Sequence, residues 1–403
     1  MFAPLRGVRV VDLTHVYAGP YVTHVLTQLG ADVVKIERPG VGDVIRAGLR
    51  GVSPPGFAAP FVGMNHGKRS LTLDLKDARG KDALSRLIER ADVLVENLRP
   101  GELERIGFGP EATRKINPRL IYASVSGWGQ SGKQASRAGY DQVIQASTGM
   151  MMMQGEAGTP PTKIGFPAID IATGMNGACA ILAALLERQR TGTGSRIDIG
   201  MGDSALMLMI GNSSAWLVGG LPHERLGNRA LTSSPTSGVF ETADGSISVA
   251  ANTLEQGHKA LDVIGRPELK TDPRFAPVRK GGFFHVADPD GAEREFATSL
   301  KARDAEHWEA AFNEAGIACG KIRTIHEFLA GPYRAMPGIH RTITDQPGYD
   351  RPVEALGAGF RVDGAIPAAT RPAPPLGGDS RAVLTELGFA ADEIDTMAKD
   401  GVI

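Results

Sequence analysis

Through the first half of the chain, short apolar, β-branched runs alternate with segments whose apolar positions recur at helical spacing. The runs "VRVVDL" (8–13), "DVVKIE" (32–37), "SLTLDL" (70–75), "DVLVEN" (92–97), "LIYASVS" (120–126) and "RIDIG" (196–200) are mostly continuous in hydrophobicity, as strands covered on both faces are. Between them, "YVTHVLTQLGA" and "KDALSRLIERA" carry helical periodicity. The alternation predicts an α/β domain, Rossmann-like, with a mostly parallel sheet. After "SALMLMIGNSSAWLVGGL" the texture changes, and "SGVFETADGSISVAAN" (237–252) predicts a hairpin turning at Asp244 and Gly245. Residues 225–330 are therefore expected to form a smaller α+β domain after a large domain that begins with 1–224. Within it, "VRKGGFFHVADPDGAERE" (278–295) reads as irregular. "IPAATRPAPPLGG" (366–378) reads as a connecting segment, and the remaining C-terminal residues as one or two helices.

Composition narrows the function. At 403 residues and 42% hydrophobic content the chain can bury a large core. Its 44 basic and 45 acidic side chains leave a formal charge of -1, which gives no general attraction to nucleic acid or an anionic membrane. Cys179 and Cys319 make no disulfide framework, and no His/Cys set has zinc spacing, so a reducing cytoplasm and no metal site are expected. The N-terminus lacks a signal-peptide pattern, and "ACAILAALL" falls short of the roughly 18 residues needed to span a bilayer.

Several residues are candidates for chemistry. Glu37 ends the second predicted strand, where a dinucleotide-binding fold places its ribose-binding acid, but the preceding turn "THVYAGPYVTH" has no GxGxxG spacing. "GMGDSA" (200–205) matches that spacing only formally. Arg38, Lys76, Arg99 and Arg105 follow predicted strands, where open α/β sheets bind ligands, and as a set they suit a phosphate-rich one. His15 ends the first strand in a pocket-like position. The run "GMMMMQG" (149–155) reads as packing, and no GxSxG elbow is present. Asp170, in "GFPAIDIATGM", stands before a long helical pattern. It suits an N-cap, the reading its position favours, and it also suits a nucleophile at a helix N-terminus offering free amides to an oxyanion. Position alone does not separate the two.

Eight stretches, in order, resemble the class III CoA-transferase family (CaiB/BaiF, formyl-CoA transferase-like). They include "LRGVRVVDLTHVYAGPYVTHVLTQLGADVVKIERPGVGDVIR", "NHGKRSLTLDLK", "ADVLVENLRPGELERIGFG", "GYDQVIQASTGMM" and "GFPAIDIATGMNGACAILAALLERQRTGTGSRIDIGM". The resemblance implies that Asp170 is the nucleophile, forming an aspartyl anhydride and then an aspartyl-CoA thioester. It implies that His15, Val16 and Ala18 line the thiol end of CoA, and that Arg38, Leu73, Lys76, Asn97, Leu98, Arg105 and Arg137 surround the nucleotide and phosphates. Tyr17 and Tyr140 are carried over as acyl-pocket candidates. CoA is then substrate and product, partnered by a small organic mono- or dicarboxylic acid, with no tightly bound cofactor. The family also implies a homodimer of interlocked ring-shaped protomers whose large domain takes back residues 331–403. Two departures matter. Acyl-CoA racemases of this fold carry His where Tyr140 stands, which argues against racemisation. Residues 227–240 lack the glycine run of oxalate-specific members, which argues against formyl-CoA:oxalate exchange.

Overall fold

The computed structural model describes residues 2–403 except 49–52, 279–281, 337 and 370. The chain divides into two compact units, one of residues 1–151, 163–222 and 339–403, the other of 152–162 and 223–338. Residues 152–162 and 331–338 thus group with the second unit rather than with the segments sequence reading joined them to.

The first unit is built on six strands, β1 (Arg9–Leu13), β2 (Asp32–Glu37), β3 (Arg69–Thr72), β4 (Val93–Glu96), β5 (Ile121–Ser126) and β6 (Arg196–Gly200). All pair in parallel, in the order β3-β2-β1-β4-β5-β6. The continuous hydrophobicity of the strands has a direct cause in their two covered faces. Val11, Val34, Leu71 and Leu94 point into one core with Leu84, Leu87 and Ile88 of the helix Ala78–Arg90. Val10, Val33, Val93 and Ile121 point into the other with Val22, Leu26, Ile181 and Leu185. β3 and β4 are shorter than their sequence runs because the chain turns into loops at 73 and 97.

The C-terminal segment forms two helices, Ser380–Glu386 and Ala391–Lys399. Their Val383, Leu384, Ile394 and Met397 complete the first of the two cores. Within 366–378, residue 370 lies outside the described residues. The longest helix, Ala168–Thr191, has 24 residues, and by length and composition it passes for a membrane span, which the short run "ACAILAALL" did not foretell. Its glycines, alanines and threonines extend the apolar character beyond that run. In the structure it is a packing helix: a Cβ at Gly174 or Gly177 would collide with Tyr21 or Val22 of the helix Ala18–Gln28.

In the second unit, β7 (Ser237–Glu241) and β8 (Ser246–Ala250) form the expected hairpin, and β9 (Ala318–Lys321) adds a third antiparallel strand. The segment read as irregular holds a regular helix, Pro289–Leu300. Its opening "DPDG" looks like a turn, but Asp288 accepts from the Gly291 amide as a cap and proline takes the first helical position. Residues 279–281 of that segment lie outside the described residues.

Under the carboxyl ends of β1 to β3 lies a set of buried charges that sequence reading did not anticipate. Lys68 and Asp12 pair at 3.1 Å with neither side chain exposed. Lys68 Nζ also meets Thr23 Oγ1 at 2.7 Å and Asn65 Oδ1 at 2.9 Å. Burial alone would raise the Asp12 pKa, but Lys68, Lys35 and the Thr14 and Thr23 hydroxyls override it and bring it to about 2. Removing one partner of such a pair strands a buried charge, so Lys68→Met is expected to cost roughly 3–5 kcal/mol in urea unfolding, with Asp12→Asn/Lys68→Met recovering most of it. Because the folded Asp12 pKa lies below the ordinary value, its contribution is present above the unfolded pKa and drains as pH falls through about 2. The double variant should lose that acid-limb slope.

Candidate active site

At the carboxyl ends of β1, β4 and β5, where the strand order reverses, the sheet opens into a cavity of about 500 Å³. Three loops and one helix start define it. The loop after β1 supplies His15, Val16, Tyr17 and Ala18, and the loop after β4 supplies Asn97, Leu98, Arg99 and, further on, Arg105. Residues 135–140 bring Arg137 and Tyr140, and the long helix brings Asp170.

The first two loops are locked together. The His15 amide donates to Asn97 Oδ1 at 2.8 Å, and Asn97 Nδ2 donates back to the His15 carbonyl at 2.8 Å. Val16 has a φ of +71°, a left-handed conformation that β-branched residues avoid at a cost of roughly 1–2 kcal/mol. His15 lines the cavity, and burial first, then Lys35, pushes its pKa below the ordinary imidazole value. A glycine contact shapes the far wall: a Cβ on Gly127 would lie 2.9 Å from the Gly139 Cα, so the two backbones touch.

Asp170 is not a cap. Its helix begins after Pro167, and Asp170 lies within the first turn. The capping is done from a distance by Asp141, whose Oδ2 accepts from the Ile169 amide at 2.8 Å and the Asp170 amide at 3.1 Å. These are the amides expected to serve an oxyanion, and the Asp141 carboxylate already occupies them. Asp141 is itself held by Gln145 Nε2, and Gln145 Oε1 accepts from the Ile164 amide at 2.9 Å, so one short helix, Asp141–Ser147, fixes the approach to Asp170. Burial first and the neighbouring Asp141 charge second raise the Asp170 pKa to about 7. Burial and then Asp170 raise that of Tyr17 in turn.

Of the residues singled out from sequence, the cavity gathers His15, Val16, Tyr17, Ala18, Asn97, Leu98, Arg105, Arg137, Tyr140 and Asp170. Arg38, Leu73 and Lys76 do not line it. Arg38 and Lys76 are exposed beyond β2 and β3, on the same edge of the sheet. The Leu73 side chain is 2% exposed and packed in the core, which leaves its backbone as the part that could meet a ligand. Arg137 stacks its guanidinium 5.0 Å over the Trp128 ring. Glu37 is not free for a ribose, because its carboxylate is taken by Arg46, Ser70 and the Asp43 amide. Met150 packs with Ile144, Ile169 and Met201, as read for the methionine run, whereas Met152 of that run is exposed. Asp43, Lys35 and Asp141 escaped sequence reading. The only signal for Asp141 was its place beside Tyr140 in "GYDQ".

A parallel α/β sheet with a raised-pKa carboxyl in the cavity at its switch point marks a candidate site for acid-base or covalent chemistry. Comparison with known proteins is specific. Residues 5–380 match the family model described as CoA-transferase family III. The acetyl-CoA:oxalate CoA-transferase of Acetobacter aceti is 37% identical over 368 residues, covering 88% of this chain and 92% of that protein. The succinyl-CoA:glutarate CoA-transferase of Mus musculus is 32% identical over 408 residues, covering 99% and 90% respectively. A solved CaiB/BaiF family protein from Brucella suis superposes with a TM-score of 0.83 at 32% identity, covering 96% of this chain and all of that one. The chain belongs to CoA-transferase family III and is an enzyme of that class.

Replacing Asp141 by Asn removes one negative charge beside Asp170 and weakens a two-amide cap. The pH midpoint of Asp170 reactivity or of its side-chain ¹³C resonance should move below about 7, toward the ordinary carboxylate range. The cap loss should cost about 1 kcal/mol.

Proposed function

We propose that this enzyme moves CoA from an acyl-CoA thioester to a free carboxylate through covalent Asp170 intermediates. The observation that carries the reading is the place of Asp170, lining the same cavity as the His15 and Asn97 loops with its pKa raised to about 7. An Asp170 oxygen attacks the thioester carbonyl, the carbon–sulfur bond breaks, and CoA leaves as thiolate, giving an aspartyl–acyl anhydride. The thiolate then attacks the Asp170 carbonyl and expels the donor carboxylate, giving aspartyl-CoA. An acceptor carboxylate reverses the two steps, emerging as the new thioester and restoring Asp170. A carboxylate nucleophile suits this exchange because the anhydride stays as activated as the thioester.

Arg99, Arg105 and Arg137 at the cavity supply positive charge for the phosphates of CoA. Arg38 and Lys76, on the same sheet edge but outside the cavity, fit a nucleotide that extends beyond it. The acids named for the relatives, oxalate and glutarate among them, make short dicarboxylates the first substrates to test, and the oxalate-using relative keeps oxalate in that set despite the absent glycine run. Racemisation is not favoured, since the relatives are named CoA-transferases and Tyr140 stands where a proton-exchanging His would be needed. The same reading includes a homodimer in the cytoplasm. The exposed apolar side chains Met207, Trp216, Leu217 and Val218 suit association, which light scattering on the purified protein would measure.

The deciding experiment is incubation with a panel of acyl-CoA thioesters, trapping with hydroxylamine or borohydride, and peptide mass spectrometry. Modification is expected at Asp170, and Asp170→Asn should lose it together with at least about a thousandfold of CoA exchange. Full exchange in Asp170→Asn, or deuterium entering an α-carbon without CoA transfer, would overturn the proposal. Since the ionised carboxylate attacks and its folded pKa is raised, trapping should be complete above about pH 7 and fall away as pH drops through that value.

A further inference from the structure

Residues 14–16 form the loop that carries His15 and Val16 into the cavity, and side chains from elsewhere bind nearly all of its backbone. The Thr14 amide donates to Asp12 Oδ1 at 3.0 Å, and the Thr14 carbonyl accepts from Lys35 Nζ at 2.6 Å. Asn97 takes both polar groups of His15. The Val16 amide donates to the Asp43 carboxylate, at 3.1 Å to Oδ1 and 3.3 Å to Oδ2. A loop with no backbone partners of its own adopts whatever conformation these side chains impose. One imposed conformation, the left-handed Val16, is unfavourable for a β-branched residue and persists only where its surroundings over-determine it.

Of these braces Asn97 lines the cavity, whereas Asp12, Lys35 and Asp43 lie outside its lining. Lys35 and Asp43 pair with each other at 3.1 Å, neither side chain exposed. Asp43 is fixed in turn, its amide donating to Glu37 Oε1 at 3.0 Å and its Oδ1 accepting from the Ile45 amide at 3.2 Å. We propose that the buried Lys35–Asp43 pair is a positioning device for this loop, holding the Val16 amide and the Thr14 carbonyl so that His15, Val16 and Tyr17 face the bound thioester. Lys35 grips the backbone before His15 and Asp43 the backbone after it, so the imidazole is set between two anchored points. The pair touches no substrate and acts through the loop. The proposal rests on the CoA-transfer reading for what the loop faces, but the mechanical claim about Val16 does not.

The test uses the full chain with Asp43→Asn, Val16→Gly and the double variant. Glycine adopts the left-handed conformation without steric cost, so the loop should need Asp43 less. Asp43→Asn is therefore expected to lower the melting temperature more in the Val16 background than in Val16→Gly. Additive losses would overturn the claim that Asp43 holds Val16. Calorimetric titration then separates positioning from general damage. Asp43→Asn should weaken CoA binding roughly tenfold while leaving adenosine 3′,5′-bisphosphate, the nucleotide end alone, within about twofold of the parent. Equal loss for both probes, or none for CoA, would overturn the positioning role. If the parent protein binds neither probe, the CoA reading fails while the melting cycle still decides the loop's mechanics. Should Asp43→Asn be insoluble, solubility restored by Val16→Gly supports the proposal and insolubility in both backgrounds counts against it.

Discussion

The site depends on charge that has been removed from water and then neutralised. Asp12, Glu37 and Asp43 face Lys35, Arg46 and Lys68 beneath the carboxyl ends of β1 to β3, and none of the six is more than slightly exposed. Three negative and three positive groups in one water-poor region attract each other strongly, yet each carries a large desolvation penalty. Such a set is stable only as a whole, with every lone pair and proton occupied. Its hydrogen bonds reach the backbone of the first loop, which makes the geometry of the cavity a property of the interior rather than of the loop's own sequence.

The second electrostatic feature works with the opposite sign. Asp141 lends its charge to the first amides of the Asp170 helix and at the same time raises the pKa of the carboxyl beside it. A helix terminus ordinarily stabilises a carboxylate. Here another carboxylate occupies that terminus, so Asp170 sits in a partly desolvated place with a like charge for a neighbour. A more basic carboxylate is a better nucleophile toward a thioester but is ionised over a narrower pH range.

The strands were legible in the chain because burial on both faces writes continuous hydrophobicity, as in "DVVKIE", whose bounds the structure reproduces. The two terminal helices were legible for the same kind of reason, through their spaced Val383, Leu384, Ile394 and Met397. Lys35, Lys68 and Asp12 were illegible, since a charged residue inside a strand looks like a solvated position until its partner is known, and Lys68 lies 56 residues from Asp12. Asp170 was found, but its local reading as a cap failed because the true cap, Asp141, is 29 residues away. The burial of the Leu73 side chain was illegible for a different reason: matching a motif position says nothing of whether the side chain or the backbone occupies it.

The first unit is discontinuous in a way that bears on its synthesis. One face of the sheet is roofed by Val383, Leu384, Leu387, Phe389 and Met397, which leave a ribosome long after the strands they cover. Until they arrive, Val11, Val34, Leu71 and Leu94 lack part of their cover, although the strands bearing them were made hundreds of residues earlier. Arg79 waits likewise for Asp400, and Ser70 for Asp379. A nascent chain stalled before the helices Ser380–Glu386 and Ala391–Lys399 would thus hold the cavity loops and Asp170 yet present a sticky, half-roofed sheet, a state more exposed to aggregation than a domain that closes on itself in order.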